Sequence, residues 1–184
     1  METTPVLTRT KWSLDPSHSE IGFKVKYLMV TNVRGAFNEY NCTVYTKGED
    51  FSGADIELSI STGSISTGDT NRDNHLKSPD FFDAGNFKEI KFKGNSLEKI
   101  SDGAYVLHGD LIIKEVSKRI KLDVEFNGIV KDPYGNKKAG FEITGKISRN
   151  DFGLSWNTVL ETGGVMVSDE VTIKCDIQLI QQAE

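Results

Sequence analysis

Arg72, Asp73, His75 and Lys77 form the densest group of chemically able side chains in this sequence, within the segment DTNRDNHLKSPDFFD at residues 69–83. Three kinds of chemistry could use them. A hydrolytic arrangement would combine Asp73 and His75 with His18, from Asp15-Pro16-Ser17-His18-Ser19. Such sites are defined by geometry rather than spacing, and no G-x-S-x-G nucleophile elbow is present. Recognition of a polar head group would use Arg72, His75 and Lys77 as donors and cations. A closed hydrogen-bond network would let the same groups satisfy one another. Metal binding finds little support: Asp69 and Asp73 lack a third ligand at calcium-loop spacing. The two cysteines and the histidines at 18, 75 and 108 show no zinc pattern. No cofactor is expected.

Directly after the polar run come Phe81 and Phe82, set between Asp80 and Asp83. A soluble protein rarely exposes such a pair, so they are expected to enter the core or close a cavity. A second polar and aromatic cluster, Arg149 to Trp156, reads as a turn whose tryptophan covers the core or lines a pocket.

The elements that must position these groups are strands. Apolar residues alternate with polar ones at Ile21-Phe23-Val25-Tyr27, Ile56-Leu58-Ile60, Ile120-Leu122-Val124-Phe126 and Val171-Ile173-Cys175-Ile177-Leu179, the period of a strand with one buried face. Turn signals at 47–50, 101–103 and 132–136 separate them. Connections this short favour antiparallel neighbours. The one helix expected is Asp69 to Lys77, with Asp69 at its positive end, an Asp73–Lys77 pair four residues apart, and Pro79 as its stop. The fold class is therefore all-β, an antiparallel barrel of about eight to ten strands. Gly35, Gly109 and Gly145 fall on the apolar phase of their strands. They are expected to mark corners of the barrel or to leave room for a ligand.

At 184 residues and a net charge of -5 the chain fits one domain and does not suit nucleic acid. It has no apolar run of transmembrane length. Residues 1–11 lack the apolar region of a secretory signal, so a cytoplasmic location is expected, or a periplasmic one if a leader was removed. Cys42 and Cys175 are read as two unpaired thiols.

The ordered blocks resemble the YceI-like family of lipocalin-like, polyisoprenoid-binding proteins. The matching residues are Asp15-x-x-His18-Ser19-x-Ile21-x-Phe23-x-Val25, Val33-Arg34-Gly35-x-Phe37, Arg72-Asp73-x-His75-Leu76-Lys77-Ser78-x-Asp80-Phe81-Phe82-Asp83, Gly109-Asp110-Leu111-x-Ile113-Lys114 and Arg149-x-Asp151-Phe152-Gly153-x-x-Trp156-Asn157. Lys77 stands where the family often has arginine. The resemblance implies an extended barrel spanning 11–182 after a tail at 1–10, an elongated apolar tunnel, and a homodimer. It implies a non-catalytic carrier or sequestering protein for a polyisoprenoid, quinone-type or fatty amide or acid chain. A 40-carbon chain at about 0.3 kcal/mol per atom would be held by roughly 12 kcal/mol. The expected lining is Ile21, Phe23, Val25, Phe37, Ile56, Leu58, Phe81, Phe82, Phe92, Leu111, Ile113, Phe126, Phe141, Ile143 and Trp156. Arg72, His75 and Lys77 are expected at the head group, with an uncharged or weakly polar head favoured because Asp73 would neutralise Arg72. The alternative is a hydrolase-type enzyme on a small hydrophobic or isoprenoid substrate, using His18, Asp73 and His75.

Overall fold

The alternating segments become eleven strands in the computed structural model, which describes residues 9–161 and 163–182. The strands are β1 (Thr10–Leu14), β2 (Glu20–Tyr27), β3 (Thr31–Phe37), β4 (Tyr40–Lys47), β5 (Asp50–Ser61), β6 (Ile65–Ser66), β7 (Glu89–Ser101), β8 (Ala104–Ile113), β9 (Val116–Lys131), β10 (Lys137–Ser148) and β11 (Val167–Gln181). Helix α1 (Thr70–Lys77) lies between β6 and β7. Most of the expected tail at 1–10 lies outside the described residues, and β1 already begins at Thr10.

Eight strands close a ring in the order β1-β4-β5-β7-β8-β9-β10-β11, completed by β1 pairing with β11. All pairings are antiparallel, so no strand of the ring is left with an open edge there. The remaining strands extend the wall. The C-terminal end of β11 pairs with β1 at Trp12↔Gln181 and Leu14↔Leu179, while its N-terminal half pairs with β2 from Val167↔Tyr27 to Asp176↔Glu20. Beyond β2 come β3 and then β6. Thus β11 is shared between two partners along its length. The ring closes at one end, and at the other the β2–β3–β6 sheet carries the wall past it.

The closed end is packed with aromatic rings. Trp12 and Phe51 are fully buried, with ring centres 5.0 Å apart. Phe51 meets Phe141 edge-on at 4.9 Å, and Phe126 stacks on Phe141 at 5.0 Å. The buried indole N–H of Trp12 donates to Thr46 Oγ1 at 2.9 Å, and that hydroxyl donates to the Gly48 carbonyl at 2.6 Å. A large aromatic is thereby buried with its polar atom satisfied.

The glycines on the apolar phase do not leave room for a ligand. A Cβ at Gly35 would lie 2.4 Å from the Phe23 ring, and one at Gly109 2.5 Å from the Phe92 ring. At Gly145 the space is taken by Leu122. Each missing side chain gives its space to a neighbour, the ring of Phe23, the ring of Phe92 or the side chain of Leu122.

Candidate functional site

The inward faces of the strands do not meet across the barrel. They enclose an apolar cavity of about 610 Å³ that runs from the aromatic floor, where Phe51, Phe141 and Leu179 line it, to α1 and the segment around Trp156. Several inward residues, including Ile56, Leu58, Ile143, Ile173 and Ile177, are only half-buried although they face inward. Their residual exposure is to this space.

Polar side chains enter the lining at one end only. Asp69, Asn71, Arg72 and His75 come from α1 and its cap, and Arg149 from the turn that follows β10. Asp69 and Asn71 are also exposed to solvent, so the cavity opens beside α1. The helix forms as its sequence dictates: Asp69 Oδ1 accepts from the Arg72 N–H at 3.2 Å, and the Ser78 hydroxyl donates to the His75 carbonyl at 2.6 Å. The expected Asp73–Lys77 pair is not made. Asp73 Oδ1 instead accepts from the Thr67 hydroxyl at 2.6 Å and the Thr67 N–H at 2.8 Å. Arg72 binds the same residue, Nε to the Thr67 hydroxyl at 2.7 Å and Nη2 to its carbonyl at 2.8 Å. Both charged groups therefore serve to hold α1 on the end of β6.

Behind α1 the chain folds the phenylalanine pair inward. The Phe81 N–H donates to the Ser78 carbonyl and the Phe82 N–H to the Leu76 carbonyl, both at 3.0 Å. Phe81 is buried and Phe82 half-buried, and both line the cavity. Phe82 meets Phe37 edge-on at 5.9 Å, and Phe37 meets Phe23 at 5.8 Å. His75, Phe81 and Trp156 make a second aromatic triangle, with centres 4.7 to 5.5 Å apart. His75 Nε2 lies 2.9 Å from Asp80 Oδ2.

Trp156 is held there by Arg149, a buried charge that makes no ion pair among the described residues. Its guanidinium donates to four backbone carbonyls, those of Leu154, Trp156, Val167 and Ser168. Burial lowers its pKa, and the nearby Asp169 carboxylate opposes that shift. Four carbonyl oxygens replace the water a buried cation has lost. The result clamps the start and end of the 154–167 segment together.

Of the expected lining residues, fourteen of fifteen lie on the cavity wall. Phe126 does not: it sits in the aromatic floor, between Tyr105, Phe51 and Phe141. Arg72 and His75 reach the cavity and Lys77 does not. Ile120 and Leu122 of β9 and Ile173 and Ile177 of β11 line the cavity as well, beyond the expected set, in the period-two phase their strands already show.

The three groups of the hydrolytic alternative are not brought together. His18 Nδ1 lies 3.1 Å from Asp15 Oδ2, on the outer wall beside Gln178. Asp73 is committed to Thr67, and His75 to Asp80. Neither His18 nor Asp73 lines the cavity. Among the described residues no cluster of His, Cys, Asp or Glu is arranged to hold a metal ion.

A closed antiparallel barrel with an apolar interior and a mouth framed by one short helix defines a lipocalin-like architecture. The profile of the YceI-like domain matches residues 12–179, and the chain belongs to that family. A UPF0312 protein of Staphylococcus aureus (strain MSSA476) is 38% identical over 170 residues, covering 92% of this chain and 96% of the relative. Among solved structures, BcnA of Burkholderia cenocepacia matches with a TM-score of 0.78 at 21% identity, over 90% of this chain and 98% of its own. The Campylobacter jejuni YceI protein matches at 0.72 with 29% identity over 100% of both chains. A polyisoprenoid-binding domain from Saccharophagus degradans matches at 0.69 with 12% identity, over 93% of this chain and 98% of its own.

Proposed function

We propose that this protein holds one long apolar lipid chain in its cavity as a non-catalytic carrier or sequestering protein. The observation that carries the reading is an apolar cavity whose polar side chains are confined to its open end. A lipid tail makes no directional bonds and needs only such a sleeve, while its polar end stays near water at the mouth. The fold shared with a polyisoprenoid-binding domain supports a prenyl chain as cargo, with quinone-type and fatty chains as the other candidates.

Volume sets the scale of that cargo. At about 30 Å³ per group, the share of a water molecule in the liquid, 610 Å³ holds about twenty chain carbons. At about 0.3 kcal/mol per atom that segment contributes roughly 6 kcal/mol, a Kd in the tens of micromolar. A 40-carbon chain would leave about half its length outside the cavity as it stands, so the cavity suits a shorter chain or the buried part of a longer one.

The mouth favours an uncharged or weakly polar head. Arg72 has two of its donor nitrogens on Thr67, Arg149 is spent on four carbonyls, and Lys77 lies off the cavity, so among the described residues no free pair of cations faces it to bind a diphosphate. Mass spectrometry of an organic extract of the purified protein identifies the cargo. Phe82→Asp places a carboxylate in the lining and is expected to abolish lipid retention while the barrel stays folded. Unchanged lipid content in that variant removes Phe82 from the lining, and a delipidated wild type that takes up neither prenyl nor fatty chains refutes the reading.

A further inference from the structure

The turn joining β2 to β3 exposes three consecutive apolar side chains, Leu28, Met29 and Val30, the last at 80%. Leu28 and Met29 hold φ angles of 54° and 64°, the left-handed region that side-chain-bearing residues seldom occupy. A turn of this shape is usually made by glycine or asparagine, so apolar residues here are costly in both conformation and solubility. Gly164 and Met166 lean on this tip. The Leu28 N–H donates to the Met166 carbonyl at 2.8 Å, and Met29 lies against Gly164, where a Cβ would sit 3.4 Å from its Cγ. Val159 and Val165, bridged to each other, add exposures of 78% and 39%.

This apolar edge is continuous with the cavity wall. Tyr27 and Val33, on either side of the turn, and Met166 and Val167, next to Val165, all line the cavity. The outer face of the same hairpin is basic. Lys24 and Arg34 are cross-strand partners, with Lys26 one step nearer the tip. Residues 21–37 contain no acidic side chain, and none of the three cations makes an ion pair among the described residues. Residues 21–37 carry a charge of +3 on a chain with a net charge of -5; the exposed Asp169 and Glu170 of β11, across from Lys26 where the β2–β11 register shifts, are taken up by Ser148 and Asn150 and by Lys146. Glu161 is the acidic side chain of the 158–166 segment.

We propose that the β2–β3 tip, with Val159 and Val165 beside it, docks the protein on an anionic lipid bilayer, the apolar side chains entering the interface and Lys24, Lys26 and Arg34 meeting the lipid phosphates. An apolar tip backed by cations matches the two attractions that hold a peripheral protein on such a surface. The proposal rests on the lipid-carrier reading, because it places the cavity wall against the phase from which an apolar chain is drawn.

The test is sedimentation of the full chain with vesicles of phosphatidylcholine alone and of phosphatidylcholine mixed with phosphatidylglycerol. Binding is expected to the mixed vesicles and to weaken with salt. At about fivefold per basic residue, the mixed vesicles should be preferred on the order of a hundredfold. Charge reversal at Lys24, Lys26 and Arg34 should remove that preference. Met29→Asp with Val30→Asp should lower binding to the mixed vesicles at least about tenfold, and Val159→Asp, on a separate segment, should lower it as well. Uptake of a soluble fluorescent fatty acid by these variants, measured without vesicles, should match wild type. That arm separates the two readings: failed uptake by wild type sinks the cavity reading, whereas intact uptake without vesicle binding sinks only the docking edge. Vesicle binding unaffected by the aspartates overturns the proposal. So does a dimer that falls apart in Met29→Asp with Val30→Asp, since the patch would then belong to a second copy of this chain.

Discussion

Filling the cavity near its floor should shorten the chain the protein can hold. Ile143 is the position of choice. It lies on β10 two residues from Phe141 of the floor, faces the cavity, and is only half-buried. Ile143→Trp adds six heavy atoms to the side chain, and they enter open volume rather than a packed core. Displacing about six chain atoms at about 0.3 kcal/mol each weakens binding of a chain that fills the cavity by about 2 kcal/mol, or roughly twentyfold. A chain of about ten carbons occupies only about half of the 610 Å³ and should bind the variant as it binds wild type. The assay is calorimetric titration of delipidated protein with a series of fatty acids of increasing length, with urea unfolding as the control. Overpacking of a filled core typically costs 1–3 kcal/mol, so a clear loss of stability would mean that the space at Ile143 is not open. Equal loss of affinity for short and long chains, or no loss for either, would refute the link between cavity volume and chain length.

Arg149→Met removes four charge-assisted bonds to carbonyls and should destabilise the protein by about 3 kcal/mol or more, a shift of roughly 1–2 M in the urea midpoint; a shift of a few tenths would mean that the clamp contributes little. The Ser17 hydroxyl, helped by His18 and opposed by burial, lowers the Asp15 carboxyl from 3.8 to about 2. A folded-state pKa below the unfolded one stabilises above the unfolded pKa and is lost as pH falls through the folded one. Asp15→Asn should therefore be less stable than wild type near neutral pH, with the gap closing between about pH 4 and pH 2; a gap that widens in acid contradicts this. Cys42 and Cys175 are buried free thiols, each pushed up to about 12 mainly by burial. Alkylation near pH 8 should spare both in the native protein and modify both in guanidinium, and rapid labelling of the native protein would show that the cavity wall opens.

Much of the barrel was legible because a strand's side chains alternate strictly between faces. Ile120-Leu122-Val124 and Val171-Ile173-Cys175-Ile177-Leu179 each point one way whatever their neighbours do, so the inward set can be read without knowing the pairing. Helix α1 was legible for a similar reason, since Asp69 and Pro79 punctuate it locally. Turns were less so: Lys114 and Glu115, with φ angles of 50° and 69°, reverse the chain between β8 and β9 without glycine, as Leu28 and Met29 do between β2 and β3.

What a side chain meets across the barrel depends on register, which local sequence does not carry. Phe126 shares the phase of Leu122 and Val124 but lies beyond the lining, because it is paired with Phe141 at the floor and packs there against Phe51 and Tyr105. Asp73 was placed one helical turn from Lys77, but Thr67, in the short connection between β6 and α1, is its partner instead. Arg149 appeared only as part of a polar turn, since its four carbonyl partners belong to segments up to 19 residues away that fold back on it. The sequence by itself determined the strands, the helix and the apolar faces, because those follow from the geometry of the local backbone. Only the tertiary structure decided that the faces stay apart around a cavity, which end opens, and that Arg149 ties the start of β11 to the backbone near Trp156, because each of these depends on which distant strand lies alongside.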